Sequence, residues 1–251
     1  MTPSSAHSMN ATADSTMLTG SHAAESLAPA GSPFGEGAVR LSGPNRYATS
    51  AEVALSWPAP TQTVFVSSGE SFPDALTAAS RAGSEQAPLL LTRRADLPSE
   101  TVRALARLSP QRIVVVGGTG EVSQAVARAL EQYTPSGQVL RVGGDTAYAT
   151  SLAISRLYPA GVETAYLASG ETFPDALAGA ALSGHQGAPL LLTGKDVMDS
   201  STRAELARLS PRQIVLLGGP AALSADVLRS AEPFSRQPVR RIAGTDRYRT
   251  A

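Results

Sequence analysis

Two carboxylates, Asp74 and Asp175, occupy the same place in two near-identical segments, Ser71-Phe72-Pro73-Asp74 and Thr172-Phe173-Pro174-Asp175. A loop carboxylate can act as a general acid or base, but that chemistry needs a second titratable partner at matched spacing. None recurs with this pair. Glu70 and Glu171 lie next to them in sequence and read as solvated loop residues. A structural role competes with the chemical one. A hydroxyl three residues before a carboxylate, with proline in the first turn, marks a helix start. Ser71, Asp74, Thr172 and Asp175 are therefore expected to be helix caps.

Gly117-Gly118 and Gly218-Gly219 each follow an apolar run and precede a helical pattern. Phosphate groups bind at that position in open α/β sheets. Neither a GxGxxG pattern nor a lysine-bearing phosphate loop accompanies them, so tight turning competes with ligand contact. Arg40, Arg141 and Arg241 recur at one position, and Arg46 matches Arg247. Arginine can grip an anionic polymer through paired donors, or form an internal ion pair. The Arg46 position is Ala147 in the second copy, so a site built on it is not present in every copy. These arginines and the four glycines are the candidate ligand contacts. Tyr47, Tyr148 and Tyr248 also recur, and packing is preferred over sugar stacking for them. His185 has Ser84 as its counterpart. An unrepeated histidine is no metal site, and no Ser/His/Asp order or paired-carboxylate pattern is present. No catalytic residue, metal or cofactor is expected.

These residues fall inside an internal repeat. RLSGPNRYATS at 40–50 recurs as RVGGDTAYATS at 141–151, and begins again as RIAGTDRYRTA at 241–251. GESFPDALTAASRAGSEQAPLLLT at 69–92 recurs at 170–193 with 15 identities in 24 positions, and ARLSPQRIVVVGG at 106–118 recurs at 207–219. The first two copies are offset by 101 residues without a gap. Each copy reads as alternating strands and helices. Short apolar runs (TVFVSS, PLLLT, RIVVVGG, and a piece near Val39–Leu41) are bounded by Gly or Pro, as in buried parallel strands. Helix patterns begin at Tyr47, at Pro73, near Pro98 and after Ser123. Asn45, Thr146 and Asp246 are the expected caps of the tyrosine-led helix, and Ser123 and Ser224 those of the last helix. The order predicts a mostly parallel sheet with helices on both faces, the doubly wound α/β class. The expected divisions are a leader at 1–37, modules at 38–138 and 139–239, and a tail at 240–251. That tail either begins a third repeat or closes the second module.

Composition supports a packed core: 42% of residues are apolar and 17% charged. Net charge is zero, which argues against a general nucleic-acid binder. The absence of cysteine excludes disulfides and thiolate metal sites. No apolar run reaches membrane-spanning length. Residues 1–37 are rich in Ser, Ala and Thr, and show no export signal.

RLSGPNRYATS, FPDAL, APLLLT and VVVGG followed by VS, in this order, resemble the putative cell wall binding repeat 2 family, over residues 40–251. The resemblance implies small α/β modules, Toprim-like or doubly wound, that usually occur in threes with a pseudo-threefold arrangement. It also implies an extracellular, wall-attached protein whose partner is an anionic secondary polymer or a peptidoglycan-linked glycopolymer. A chain ending just inside the third copy is expected to expose module faces and to be capable of self-association. The competing function is a doubly wound enzyme acting on a phosphate-bearing small molecule.

Overall fold

The computed structural model describes residues 39–172 and 174–244. Within 40–244 the order is α1 (Arg46–Ala54), β1 (Thr63–Ser68), α2 (Pro73–Ser84), β2 (Leu89–Thr92), α3 (Ser99–Leu108), β3 (Arg112–Val116), α4 (Gln124–Leu130) and β4 (Val139–Val142). It repeats as α5 (Ala147–Ser155), β5 (Thr164–Ser169), α6 (Pro174–His185), β6 (Leu190–Thr193), α7 (Ser200–Leu209), β7 (Gln213–Leu217), α8 (Ala225–Ala231) and β8 (Arg240–Ile242). The two sheets have orders β2-β1-β3-β4 and β6-β5-β7-β8, with every pair parallel. Register is the same in both: Phe65 pairs with Leu89, and Tyr166 with Leu190 one repeat later.

The strands are apolar on both sides because both sides are covered. Val64, Val66, Ile113 and Val115 point to the face bearing α1, α3 and α4, while Phe65, Val114 and Val116 point to α2. The second sheet repeats this, with α5, α7 and α8 on one face and α6 on the other. Asn45 caps α1 by accepting from the Ala48 amide at 2.9 Å, and Thr146 caps α5 from Ala149 at 3.2 Å. Ser123 caps α4 through the Val126 amide, 3.2 Å away.

The sequence repeat and the sheets are out of phase by one strand. β4 contains Arg141, which opens the second copy in sequence, yet it pairs with β3 and completes the first sheet. In the same way β8 pairs with β7 and closes the second sheet. The piece near Val39–Leu41 is not a strand. Its counterparts in β4 and β8 are strands because a β3-type neighbour lies beside them. Among the described residues the first copy has no such neighbour, and an isolated strand has no ladder to join.

The two modules join through α2, which packs on α6 and on the end of α5. The helices approach closely at Gly83 and Gly184, where a Cβ on Gly83 would lie 3.0 Å from the Gly184 Cα. Ser183 donates to Ser80 at 2.8 Å, and Ser80 to the Ala188 carbonyl at 3.4 Å. Arg81 lies over the Tyr158 ring at 4.6 Å and donates to the Leu157 carbonyl, and the Ser84 and Tyr158 hydroxyls are 2.9 Å apart. Leu76 reaches the core of the second module and is 7% exposed. Burying such a side chain contributes about 1.5–3 kcal/mol.

Candidate functional site

In a sheet ordered β2-β1-β3-β4 the chain leaves β1 toward one edge and β3 toward the other. The crevice at the C-terminal ends of β1 and β3 is where such folds place ligands. Here that crevice holds the start of α2 and the Gly117-Gly118 turn. Gly117 has φ of +116°, a conformation that favours glycine. A Cβ there would stand 2.6 Å from Asp74 Oδ2, so the turn is shaped around the carboxylate.

Asp74 is not a cap. The cap position of α2 is Phe72, and no side chain makes a cap hydrogen bond there. Instead the Asp74 side chain turns inward and is 3% exposed. Among the described residues its Oδ1 has no hydrogen-bond partner. Burial pushes the carboxyl up from 3.8 to about 6; the Thr150 hydroxyl on α5 opposes the rise and the Glu121 charge adds to it. The tertiary approach of Gly117 and α5 overrides the local cap, leaving Ser71 outside any capping pair with Asp74. In the second module Asp175 meets its own turn, since a Cβ on Gly218 (φ +98°) would lie 2.5 Å from Asp175 Oδ2. Phe173, which follows Thr172 at the start of α6, lies outside the described residues.

The repeated arginines behave as struts. Arg141 reaches from β4 to the glycine turn, where Nη1 donates to the Gly117 carbonyl at 2.8 Å and the Gly118 carbonyl at 3.2 Å, and Nη2 to Ser123 at 3.4 Å. Arg241 repeats this on Gly218 and Ser224, at 2.8 and 3.3 Å. Desolvation lowers the pKa of both guanidinium groups. Arg40 has no preceding glycine turn among the described residues, and it is exposed. The Gly118 surface is also occupied, because a Cβ there would fall 2.6 Å from the Gly144 carbonyl. The following repeat thus fills the place a phosphate would take in the first module. Arg141→Ala is expected to lower unfolding free energy by about 1–3 kcal/mol, as buried carbonyls lose a charged donor. Arg40→Ala should stay within about 0.5 kcal/mol. Urea titration of both variants checks the contrast.

Arg46, like Arg40, stays on the surface. It is exposed, and its Nη1 donates to the Gly69 carbonyl at 2.5 Å. Tyr47 beside it lies half-buried against Gly69, whose Cβ would come 2.6 Å from the ring. Tyr148 covers Gly170 in the same way. Arg93 stacks on Tyr47 at 5.1 Å and pairs with Asp96 at 2.7 Å, with exposed Arg94 next to it. Sequence reading missed Arg93 and Arg94 because they do not recur: Gly194 and Lys195 stand in their places. Arg247, Asp246 and Tyr248 lie outside the described residues, as does the leader at 1–37. No helix among the described residues is long and apolar enough to cross a membrane.

The chain is thus two parallel α/β modules in tandem, the first with its glycine turn covered by Gly144 of the next repeat and the second with open space beside Gly219 among the described residues. Residues 40–127 and 141–228 each match the family model for cell wall binding domain 2. The chain belongs to that family. It is 28% identical over 212 residues to the N-acetylmuramoyl-L-alanine amidase LytC of Bacillus subtilis (strain 168), covering 84% of this chain and 41% of that protein. It is 31% identical over 210 residues to the amidase enhancer of the same organism, covering 83% of this chain and 28% of that one. Among solved structures, Cwp6 from Clostridium difficile superposes with a TM-score of 0.78 at 28% identity, covering 84% of this chain and 34% of that chain. The chain therefore spans well under half the length of each of these relatives.

Proposed function

We propose that this chain holds on non-covalently, and without catalysis, to an anionic glycopolymer of the bacterial cell wall outside the cell. The observation that carries this reading is the cell wall binding domain match over both modules. Filling of the first crevice by Arg141 and Gly144 supports it, since a reaction there would need open space. The amidase relative shares the repeat region, and this chain corresponds to less than half of that protein. Weak contacts repeated over two modules give useful retention through avidity.

The contact face we favour is the exposed group of Arg46, Arg93 and Arg94 around Tyr47 on the first module. Guanidinium groups suit phosphate or carboxylate on a polymer, and the half-covered ring offers a flat apolar surface to a sugar. Exposed ion pairs are individually weak, so removing all three arginines together is expected to weaken retention about tenfold. The test is co-sedimentation with purified wall sacculi, using the Arg46→Ala, Arg93→Ala, Arg94→Ala variant beside the parent chain. Sacculi stripped of their anionic polymer should retain little of either protein. Equal retention before and after stripping would rule out an anionic polymer as the ligand.

A further inference from the structure

Ser109 ends α3 in the left-handed region (φ +45°), and the chain passes it again at 132–135 on the way to β4. Between these two passages lies a hollow of about 390 Å³. It is on the face of the sheet opposite α2, so the joint between the modules does not cover it. It sits at the N-terminal ends of the strands, whereas Arg46 and Arg93 stand at the C-terminal ends. Every residue lining it is uncharged, and Leu105, Ala106 and Pro135 supply the apolar part. Three polar groups beside them have unused capacity among the described residues. The Tyr133 ring packs on the core while its hydroxyl makes no hydrogen bond. Gln132 donates its amide to the Ala129 carbonyl at 2.9 Å, which leaves its side-chain oxygen free. Ser109 donates to the Ala106 carbonyl at 3.2 Å and keeps its lone pairs to accept.

The second module bridges the same place. Pro135 is matched there by Arg236, whose Nη2 donates to the Ser210 hydroxyl, the counterpart of Ser109, at 2.8 Å. Tyr133 is matched by Phe234 and Gln132 by Pro233. The free hydroxyl and the free amide oxygen therefore occur only in the copy that lacks the bridging arginine. Packing does not account for them, since Phe234 packs on its own core without a hydroxyl. The lining offers more acceptors than donors and no charge. That suits a ligand rich in O–H and N–H donors and gives an anion no partner. The apolar part suits a methyl group or the C–H face of a ring. The volume is at the small end of the range for small-molecule sites, room for one or two sugar rings. We propose that this hollow binds an uncharged N-acetylated sugar unit. It is a second site on the first module, separate in place and chemistry from the arginine face, and it does not depend on the wall polymer being anionic.

Titration of the isotope-labelled full chain with tri-N-acetylchitotriose, followed by NMR of the backbone and side-chain amides, reads the binding. A dissociation constant on the order of 1 mM is expected, with shifts centred on Ser109, Thr134 and the Gln132 side-chain amide. Pro135→Arg and Tyr133→Phe copy the second module, whose fold already carries both residues. Pro135→Arg should weaken binding about tenfold or more, and Tyr133→Phe about three- to tenfold. Circular dichroism checks that each folds. The variant lacking Arg46, Arg93 and Arg94 should bind the sugar as the parent does, so failure of the arginine face and failure of this site are told apart. Where the sugar binds, sacculi stripped of anionic polymer distinguish its source. Residual retention that Pro135→Arg removes places the sugar on the glycan strands, and its absence places the sugar on the polymer. No shift at about 20 mM overturns the proposal. So do shifts confined to other surfaces, binding unchanged in Pro135→Arg, or equal binding of cellotriose, which lacks the acetamido groups.

Discussion

Replacing Asp74 with asparagine is expected to stabilise the protein at neutral pH by about 2–3 kcal/mol and to flatten its stability between pH 3.8 and about 6. The carboxyl has its ordinary value in the unfolded chain and a raised one in the fold. Between those two values the folded state holds the proton more tightly, so stability falls as pH rises through the window. Below 3.8 the acid is neutral in both states and the penalty vanishes. Above about 6 the fold carries a buried charge, with Oδ1 unpartnered among the described residues. Asparagine keeps the shape against Gly117 and removes the charge. Urea unfolding at pH 3.5, 5 and 7.5 measures the effect. A difference between parent and variant that does not grow from pH 3.5 to pH 7.5 would show that Asp74 is paired and charged in the fold. The same carboxyl couples the modules, because Thr150 of α5 faces it.

The second large effect lies in the second module, where Glu205 is 5% exposed and pairs with Arg208 at 2.6 Å and with the Ser155 hydroxyl. Arg208 also donates to the Tyr158 and Ser155 carbonyls, at 3.1 and 3.0 Å. Arg208→Ala leaves the carboxylate buried without its cation and is expected to cost about 3–5 kcal/mol. Glu205→Ala should cost much less. The guanidinium it leaves is 37% exposed and keeps its carbonyl partners. The first module holds Ala54 and Ala104 at the positions of Ser155 and Glu205. The double change Ser155→Ala, Glu205→Ala is therefore expected to be close to neutral, since the same fold already packs alanine there. Chemical denaturation of the three variants orders them, and a double variant as unstable as Arg208→Ala would contradict this account.

Much of the architecture could be read from residue patterns. TVFVSS and RIVVVGG are too short and too apolar for anything but doubly covered strands, and Asn45 and Thr146 cap as their types suggest. What stayed hidden depends on contacts across repeat boundaries. Arg141 opens a copy in sequence but braces the glycine turn of the copy before it, so repeat framing conceals its partner. Asp74 has the spacing of a cap, yet the approach of Gly117 and α5 draws it inward. Val39–Leu41 has the residues of a strand and lacks a neighbour to pair with. Arg93 and Arg94 escaped notice because comparison of the copies highlights what recurs, and a surface contact on one module does not.

Wall binding and wall cleavage can be separated on one sample of purified sacculi, by following bound protein and released soluble wall fragments together. Saturable binding is expected, with no fragments released above the level of sacculi alone, however long the incubation. Fragment release that grows with time and protein and is abolished by Asp74→Asn or Asp175→Asn would contradict it, and would make the glycine-turn crevice a reaction centre.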